Sequence, residues 1–385
     1  MLLMRALIAI AIASVAFIAQ PTFAEDAYQV AVIGVLGGRS AAGYAPVVEA
    51  LRLYIDKVNA AGGVNGKRVH LLIEDDLASP LRAAANARKL LTENKPVLML
   101  DASLSTTYAP VIAEAKKAGV PLIFAGSICP REVYPRTDED EFCATAVAAQ
   151  YDSRAALAFV QEAATEPVRI AFAAMAIPLS RLEIDFAAGE APHFGMTVVD
   201  KEGILPPTQD YTPFANNIKE AGANWVYSWA PWVTQIRTFE ALRHIGWSGS
   251  YVTWAHMEAE AELGRLKDPK LYVVGANALF ADALPIQKDI VEAAKETGGK
   301  YLPEQMTEGW IAGMIVEAAL KMRAPTRRRP RCEQRCRISG SISRGCAAAR
   351  LSGPRIIIFA LGNIIAYTTG TEPGSRRSRI GLPMT

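Results

Sequence analysis

QVAVIGVLGGRSAAGYAPVVEALRLYIDKVNAAGGVNGKRVHLLIEDD, residues 29–76, decides the fold. Gln29 to Val35 is a β-branched apolar run, the pattern of a strand buried on both faces. A Gly37-Gly38-Arg39-Ser40 loop follows. Pro46 to Ala60 then carries Val47, Leu51, Tyr54, Ile55 and Val58 at helical spacing. Gly62 to Gly66 is a turn cluster, and Val69 to Glu74 is a second strand ending at Asp75-Asp76. Strand, helix and strand at this pace predict parallel neighbours joined by a crossover helix.

The same rhythm continues outward. Ser79-Pro80 opens a helix to Glu93, since proline fits a first helical turn. Val97 to Leu100 and Pro121 to Phe124 read as strands around a helix from Ala109 to Ala118. The pattern then restarts. Helices are predicted at Ser153–Glu162, Arg181–Phe194, Thr212–Ala221 and Thr234–Ile245, and strands at Arg169–Ala173, Thr197–Asp200, Trp225–Ser228 and Ser250–Thr253. Val273 to Ala276 adds a strand, and Ile286–Thr297 and Met306–Met322 add two helices. The fold class is therefore α/β, with two doubly wound parallel-sheet lobes in tandem. Ligands of open α/β sheets bind beyond the carboxyl ends of the strands, so two facing lobes make a cleft.

Bulk properties narrow the function. The chain has 385 residues, 51% hydrophobic and 21% charged, which suits two globular domains. The net charge of +2 is uneven. From Arg323 onward there are many Arg, no Lys, and only Glu333 and Glu372 as acids. The basic excess thus lies in one segment, and nucleic acid is not expected as a partner. Arg5, an apolar stretch from Ala6 to Ala19 and Pro21 to Ala24 have the layout of a secretory signal peptide, residues 1–24, cut after Ala24. Export favours a disulfide between Cys129 and Cys143, closing a polar loop; two separate thiols are the other reading. Cys332 and Cys336 have no further ligands beside them, and His70, His193, His244 and His256 form no triad or metal spacing. No metal, cofactor or catalytic residue is expected.

Residues 31–44, 50–91, 108–127 and 210–247 together resemble the branched-chain-amino-acid type of periplasmic solute-binding protein. Ile55 to Gly66, followed by Glu74-Asp75-Asp76, is the most specific part. The resemblance implies a Venus-flytrap fold with hinge strands, type I of the periplasmic binding proteins. Lobe I would comprise residues 25–145 and 276–323, and lobe II residues 146–275. It implies a monomer in the periplasm that feeds an ABC transporter permease with an organic acid, an amide or an amino acid. It also implies that a Ser/Thr loop after the third strand and the backbone after the fourth hold the ligand carboxylate. By position these are Ser105, Thr106, Gly126, Ser127 and Ile128. Hydroxyls and free N–H groups at a helix N-terminus suit an anion; simple capping by Ser105 or Thr106 is the alternative. Arg39, Ser40 and Tyr44 lie at the same expected edge, where Arg39 either adds charge for an anion or is solvated.

Departures from the family bear on the ligand. Relatives that take α-amino acids commonly supply an acid from the second lobe. The matching strand end here, Val252 to His256, has no acid before Glu258, and Met175 to Ser180 lacks the acids and Tyr of many relatives. Trp229, Trp232 and Trp254 with few acids suit a flat or apolar carboxylate, ahead of a free amino acid. Packing is the commoner fate of Trp.

Rival readings have less support. Gly34 to Gly38 lacks the G-x-G-x-x-G spacing, and the acid ending the second strand lies about twice the ~20 residues expected of a nucleotide-dependent enzyme. A ligand sensor of the same fold is the nearer alternative. Residues 324–385 follow neither helical nor strand logic over much of their length, and regrouping the bases of permitted codons yields segments similar to the family's final hairpin. The expectation is a frame error near Ala324–Arg331, with an aberrant tail that fills neither the edge-strand nor the hinge position.

Overall fold

The computed structural model describes residues 27–38, 40–126, 128–130, 133, 140–144, 149–206, 208–254, 259–275, 280, 283–323, 365–369 and 379–380. Ser79 shows how local chemistry sets the elements. Its hydroxyl accepts from the Arg82 N–H, which caps the helix that Pro80 begins.

Lobe I alternates β1 (Tyr28–Gly34), α1 (Ala45–Ala60), β2 (Val69–Asp75), α2 (Pro80–Glu93), β3 (Leu98–Ala102), α3 (Tyr108–Ala118), β4 (Leu122–Phe124) and β5 (Glu141–Cys143). Its five strands are all parallel, in the order β2-β1-β3-β4-β5. Val30 to Ile33 are fully buried, as the apolar run required. The chain then enters lobe II through α4 (Ala149–Ala163). There follow β6 (Arg169–Met175), α5 (Pro178–Glu190), β7 (Thr197–Ile204), α6 (Thr212–Glu220), β8 (Trp225–Ser228), α7 (Trp232–His244), β9 (Ser250–Trp254), α8 (Ala259–Leu266) and β10 (Leu271–Gly275). These strands are parallel in the order β10-β9-β8-β6-β7. The two-lobed parallel α/β architecture is as the sequence predicted.

The chain returns to lobe I as α9 (Pro285–Glu296) and α10 (Pro303–Met322). α10 packs tightly on α1 because Gly309 and Gly313 lie in the contact. A Cβ at Gly309 would run into the Val47 carbonyl, and one at Gly313 would meet the Tyr54 ring at 2.6 Å. Val47, Val48, Leu51, Ala312, Val316 and Leu320 bury their side chains together here. The lobes also touch away from the sheets. Glu304 of α10 accepts from the Glu260 and Ala261 N–H groups of α8, at 3.1 and 3.3 Å.

Several elements differ from the expectation. The short β5 and α8 were not predicted, α4 begins four residues earlier than Ser153, α5 ends four residues before Phe194, and β7 runs four residues beyond Asp200. The tail is a correction. Residues 365–369 form β11 (Ile365–Thr369), antiparallel to β10, with β12 (Arg379–Ile380) beyond it, so part of the tail does occupy an edge position. An open sheet edge offers unpaired N–H and C=O groups, and any extended backbone can answer them whatever its side chains. The Cys129–Cys143 disulfide is present, with Cα atoms 5.6 Å apart.

Candidate functional site

Strand order locates the crevices. In lobe I the chain leaves β1 for β2 on one side and later places β3 on the other. The switch point therefore lies between β1 and β3, and the loops after these strands border it. Those loops carry Ser40 and Tyr44, and Ser105 and Thr106. In lobe II the switch point falls between β6 and β8, bordered by Ala176–Ile177 and Trp229–Pro231.

In lobe I, Asp75 steadies the first loop by accepting from the Leu36 N–H at 3.0 Å and the Leu77 N–H at 2.9 Å. The second loop leads into α3 without a side-chain cap. Its N-cap Thr107 turns its hydroxyl back to the Leu104 carbonyl at 2.8 Å. The Ser105 hydroxyl oxygen is shielded from solvent and has no hydrogen-bond partner. Simple capping by Ser105 is therefore not what this hydroxyl does. Thr106 is half-buried beside it. Gly126, after β4, has φ +65°, and a Cβ there would meet Val47 at 2.5 Å, so only glycine fits. The Ile128 carbonyl accepts from the Tyr108 hydroxyl at 2.9 Å, and Cys129 next to it is tied to β5. Arg39 and Ser127 lie outside the described residues.

Beneath this edge are buried acids that the sequence reading missed. Asp76 and Asp101 are fully buried, and Glu308 of α10 is nearly so. Burial, then the neighbouring Asp76, holds the Asp101 carboxyl well above the usual range. Burial likewise raises Asp76. Tyr44 is buried too, and its phenol is pushed up by burial and by Asp101, Glu308 and Asp76. Carboxyls raised in this way carry less charge, so Asp76 and Asp101 repel an anion above them less than ordinary acids would.

In lobe II, Gln235 of α7 holds the crevice together. Its amide donates to the carbonyls of Ala230 (2.9 Å) and Trp254 (3.0 Å). Its oxygen accepts from the Trp254 N–H at 2.9 Å and from the Thr253 hydroxyl. The result pins the loop after β8 to the end of β9 and stacks Trp229 on Trp254, with centroids 5.1 Å apart and planes at 32°. Trp232 is not part of this pair. It lines a groove of about 360 Å³ between α7 and α8, whose Arg237, Glu240, Glu262 and Arg265 pair among themselves. The expectation of a second-lobe crevice with few acids needs correcting. Asp152, in the first turn of α4, sets its carboxylate against the indoles of Trp229 and Trp254, with Glu183 of α5 nearby. Its signal in the sequence was an acid at a helix start, hidden by placing that start too late.

Two crevices, each at the switch point of a doubly wound lobe in one chain, define a two-lobed solute receptor. The comparisons agree. The model of the periplasmic binding protein family matches residues 27–330, and the chain belongs to that family. A stretch of 76 residues is 32% identical to an amino acid binding protein of Pseudomonas aeruginosa and spans 20% of each chain. The structure is similar to the branched-chain amino acid transporter substrate binding protein LivJ of Streptococcus pneumoniae in complex with isoleucine. Identity is 16%, coverage 77% of this chain and 84% of that one, and the TM-score 0.65. A solute binding protein of an ABC transporter from Rhodopseudomonas palustris BisB5, in complex with 3,4-dihydroxybenzoic acid, gives 17% identity, coverage of 77% and 81%, and a TM-score of 0.65. A fatty acid ABC transporter substrate-binding protein of Thermomonospora curvata gives 15%, 77% and 76%, and 0.66. The family and these neighbours are solute-binding proteins, not enzymes.

Proposed function

We propose that this protein is the extracytoplasmic solute-binding component of an ABC importer, and that it captures a small carboxylate-bearing solute between its lobes. The observation that carries this reading is the Ser105 hydroxyl, shielded and without a partner beside the uncapped N-terminus of α3. A carboxylate placed there would receive the hydroxyl, the first free N–H groups of the helix and the favourable end of its dipole. Thr106 and the backbone around Gly126 and Ile128 complete the cradle, with Ser40 and Tyr44 on the facing loop. Residues 1–24 are the export signal, the released chain works in the periplasm as a monomer, and a permease is its partner. Among the described residues no helix is long and apolar enough to cross a membrane.

Titration of the purified protein with leucine, isoleucine, benzoate and 4-hydroxybenzoate, followed by Trp fluorescence, tests the reading. At least one carboxylate should bind, and Ser105→Ala should weaken it about 10-fold, the worth of one hydrogen bond to a charged group. A natively folded protein that answers none of these acids would refute it.

A further inference from the structure

Two helix starts meet across the lobes. α1 follows β1, so it begins at the carboxyl edge of the lobe I sheet. α10 runs beside it in the same direction. Gly309 meets Val47 near the two starts, and beyond the end of α1 the Asn65 amide donates to the Leu320 carbonyl at 3.0 Å. Glu304, in the first turn of α10, therefore stands at the crevice edge of lobe I. α8 follows β9, so its start stands at the crevice edge of lobe II.

One carboxylate serves both starts. The Glu260 and Ala261 N–H groups, which α8 itself cannot satisfy, donate to the same Glu304 oxygen, Oε2, at 3.1 and 3.3 Å. The acids in the first turn of α8 are engaged elsewhere. Glu262 accepts from Arg265 at 2.8 Å, and Glu260 accepts from the Phe280 N–H at 2.8 Å. Phe280, on the chain returning from β10, packs against the cluster of Ala50, Ile290, Met306 and Trp310. The start of α10 has its own cap, since Gln305 accepts from the Leu302 N–H at 2.8 Å. Charge explains why an acid reaches across. Each helix start carries the positive end of a dipole, and two such ends repel unless an anion lies between them. A hydrogen bond of this kind is lost by a separation of ~3.6 Å. Rotation about the hinge parts the crevice edges, so the contact exists only while the cleft is shut.

We propose that Glu304 is an inter-lobe latch, which holds α8 against α10 in the closed cleft and so raises the affinity for the solute without touching it. This rests on the reading that the solute is captured between the lobes. Apparent affinity then follows the share of molecules whose cleft is shut. The latch enlarges that share for every solute alike. It acts mainly on release, since a bound solute leaves only after the edges part.

Glu304→Gln keeps the shape and removes the charge. Whichever of leucine, isoleucine, benzoate and 4-hydroxybenzoate binds the wild-type protein should bind this variant about 10-fold more weakly, the difference between a charged and a neutral acceptor. Stopped-flow fluorescence should place the loss in faster release. Glu304→Asp separates the latch from a local role, because it keeps a negative charge at the start of α10 but draws it one methylene back from α8. The latch requires Glu304→Asp to bind as weakly as Glu304→Gln, whereas a charge that only steadies α10 requires it to bind like wild type. Deuterium exchange gives a readout that needs no solute. Peptides covering α8 should exchange faster in both variants than in wild type, with those of α2 unchanged. Wild-type affinity in Glu304→Gln, recovery in Glu304→Asp, or unchanged exchange at α8 overturns the latch and leaves the capture reading standing. A cooperatively melting wild-type protein that binds no member overturns the carboxylate reading instead, and exchange at α8 still decides whether the lobes are latched.

Discussion

Gln235 lacks any motif, yet it satisfies four groups at once: the Ala230 and Trp254 carbonyls, the Trp254 N–H and the Thr253 hydroxyl. All are buried, so each group left without its partner costs about 1–3 kcal/mol. Gln235→Leu keeps the volume and removes every bond. It should lower stability by about 3 kcal/mol or more, read as a lower urea midpoint, and should move Trp emission to the red as Trp229 and Trp254 loosen. An unchanged midpoint would show that the loop after β8 is held by packing alone. Such residues are hard to read from a sequence, because a Gln in the first turn of a helix has a solvated face as its ordinary fate and only the tertiary contact reveals otherwise. The same holds for Asp152, whose neighbours lie on α5, on β9 and in the loop after β8. Ser105 was singled out from the resemblance, by its position after the third strand, and the local chemistry of a hydroxyl just ahead of a predicted helix agreed with either a ligand contact or a cap. Trp232 was misplaced because proximity along the chain to Trp229 does not fix which side of α7 a ring takes.

Elements were legible wherever hydrophobic period and boundary signals agreed. Ser79-Pro80 marked the start of α2, and the apolar run of β1 marked a buried strand. β5 failed because three residues are too few to show a period, and α8 because its acids and Ala read equally well as loop. The α1–α10 contact was invisible for another reason: a glycine inside a helical pattern reads as a weak point, not as a site of close approach. The two roles give opposite predictions. Gly189 in α5 has open space where a Cβ would be, so Gly189→Ala should stabilise by up to ~1 kcal/mol through helix propensity. Gly309→Ala gains the same propensity but drives a methyl into the Val47 carbonyl and Ala50. Overpacking costs about 1–3 kcal/mol and should prevail. Thermal melts of the two variants should therefore shift in opposite directions. A stabilised Gly309→Ala would mean that α10 sits further from α1.

At the scale of the whole molecule, buried acids in both lobes couple stability to pH. Asp101 and Asp152 have carboxyls raised well above the usual range by burial and by a neighbouring acid, and burial raises Asp76. The folded chain thus holds protons that the unfolded chain gives up near pH 4, and stability falls as pH rises from there through the raised values. Other carboxylates act in the opposite sense. Burial raises Asp268, but the Arg243 ion pair at 2.8 Å and the Lys270 N–H outweigh it and hold the group low. Lys321 and Tyr54 hold Glu317 low. Stability from such groups is present above their unfolded values and is lost as pH falls through the folded ones. The two sets together give a decline on each flank, alkaline from the raised acids and acid from the lowered ones. Asp101 belongs to the alkaline flank, and Asn matches its shape without a charge. Asp101→Asn should therefore melt close to wild type near pH 5 and above it at pH 8, so that Tm falls less steeply between the two. If the two proteins melt in parallel across that range, the Asp101 proton does not differ between folded and unfolded chains, and the weakly charged floor assigned to the lobe I crevice is wrong.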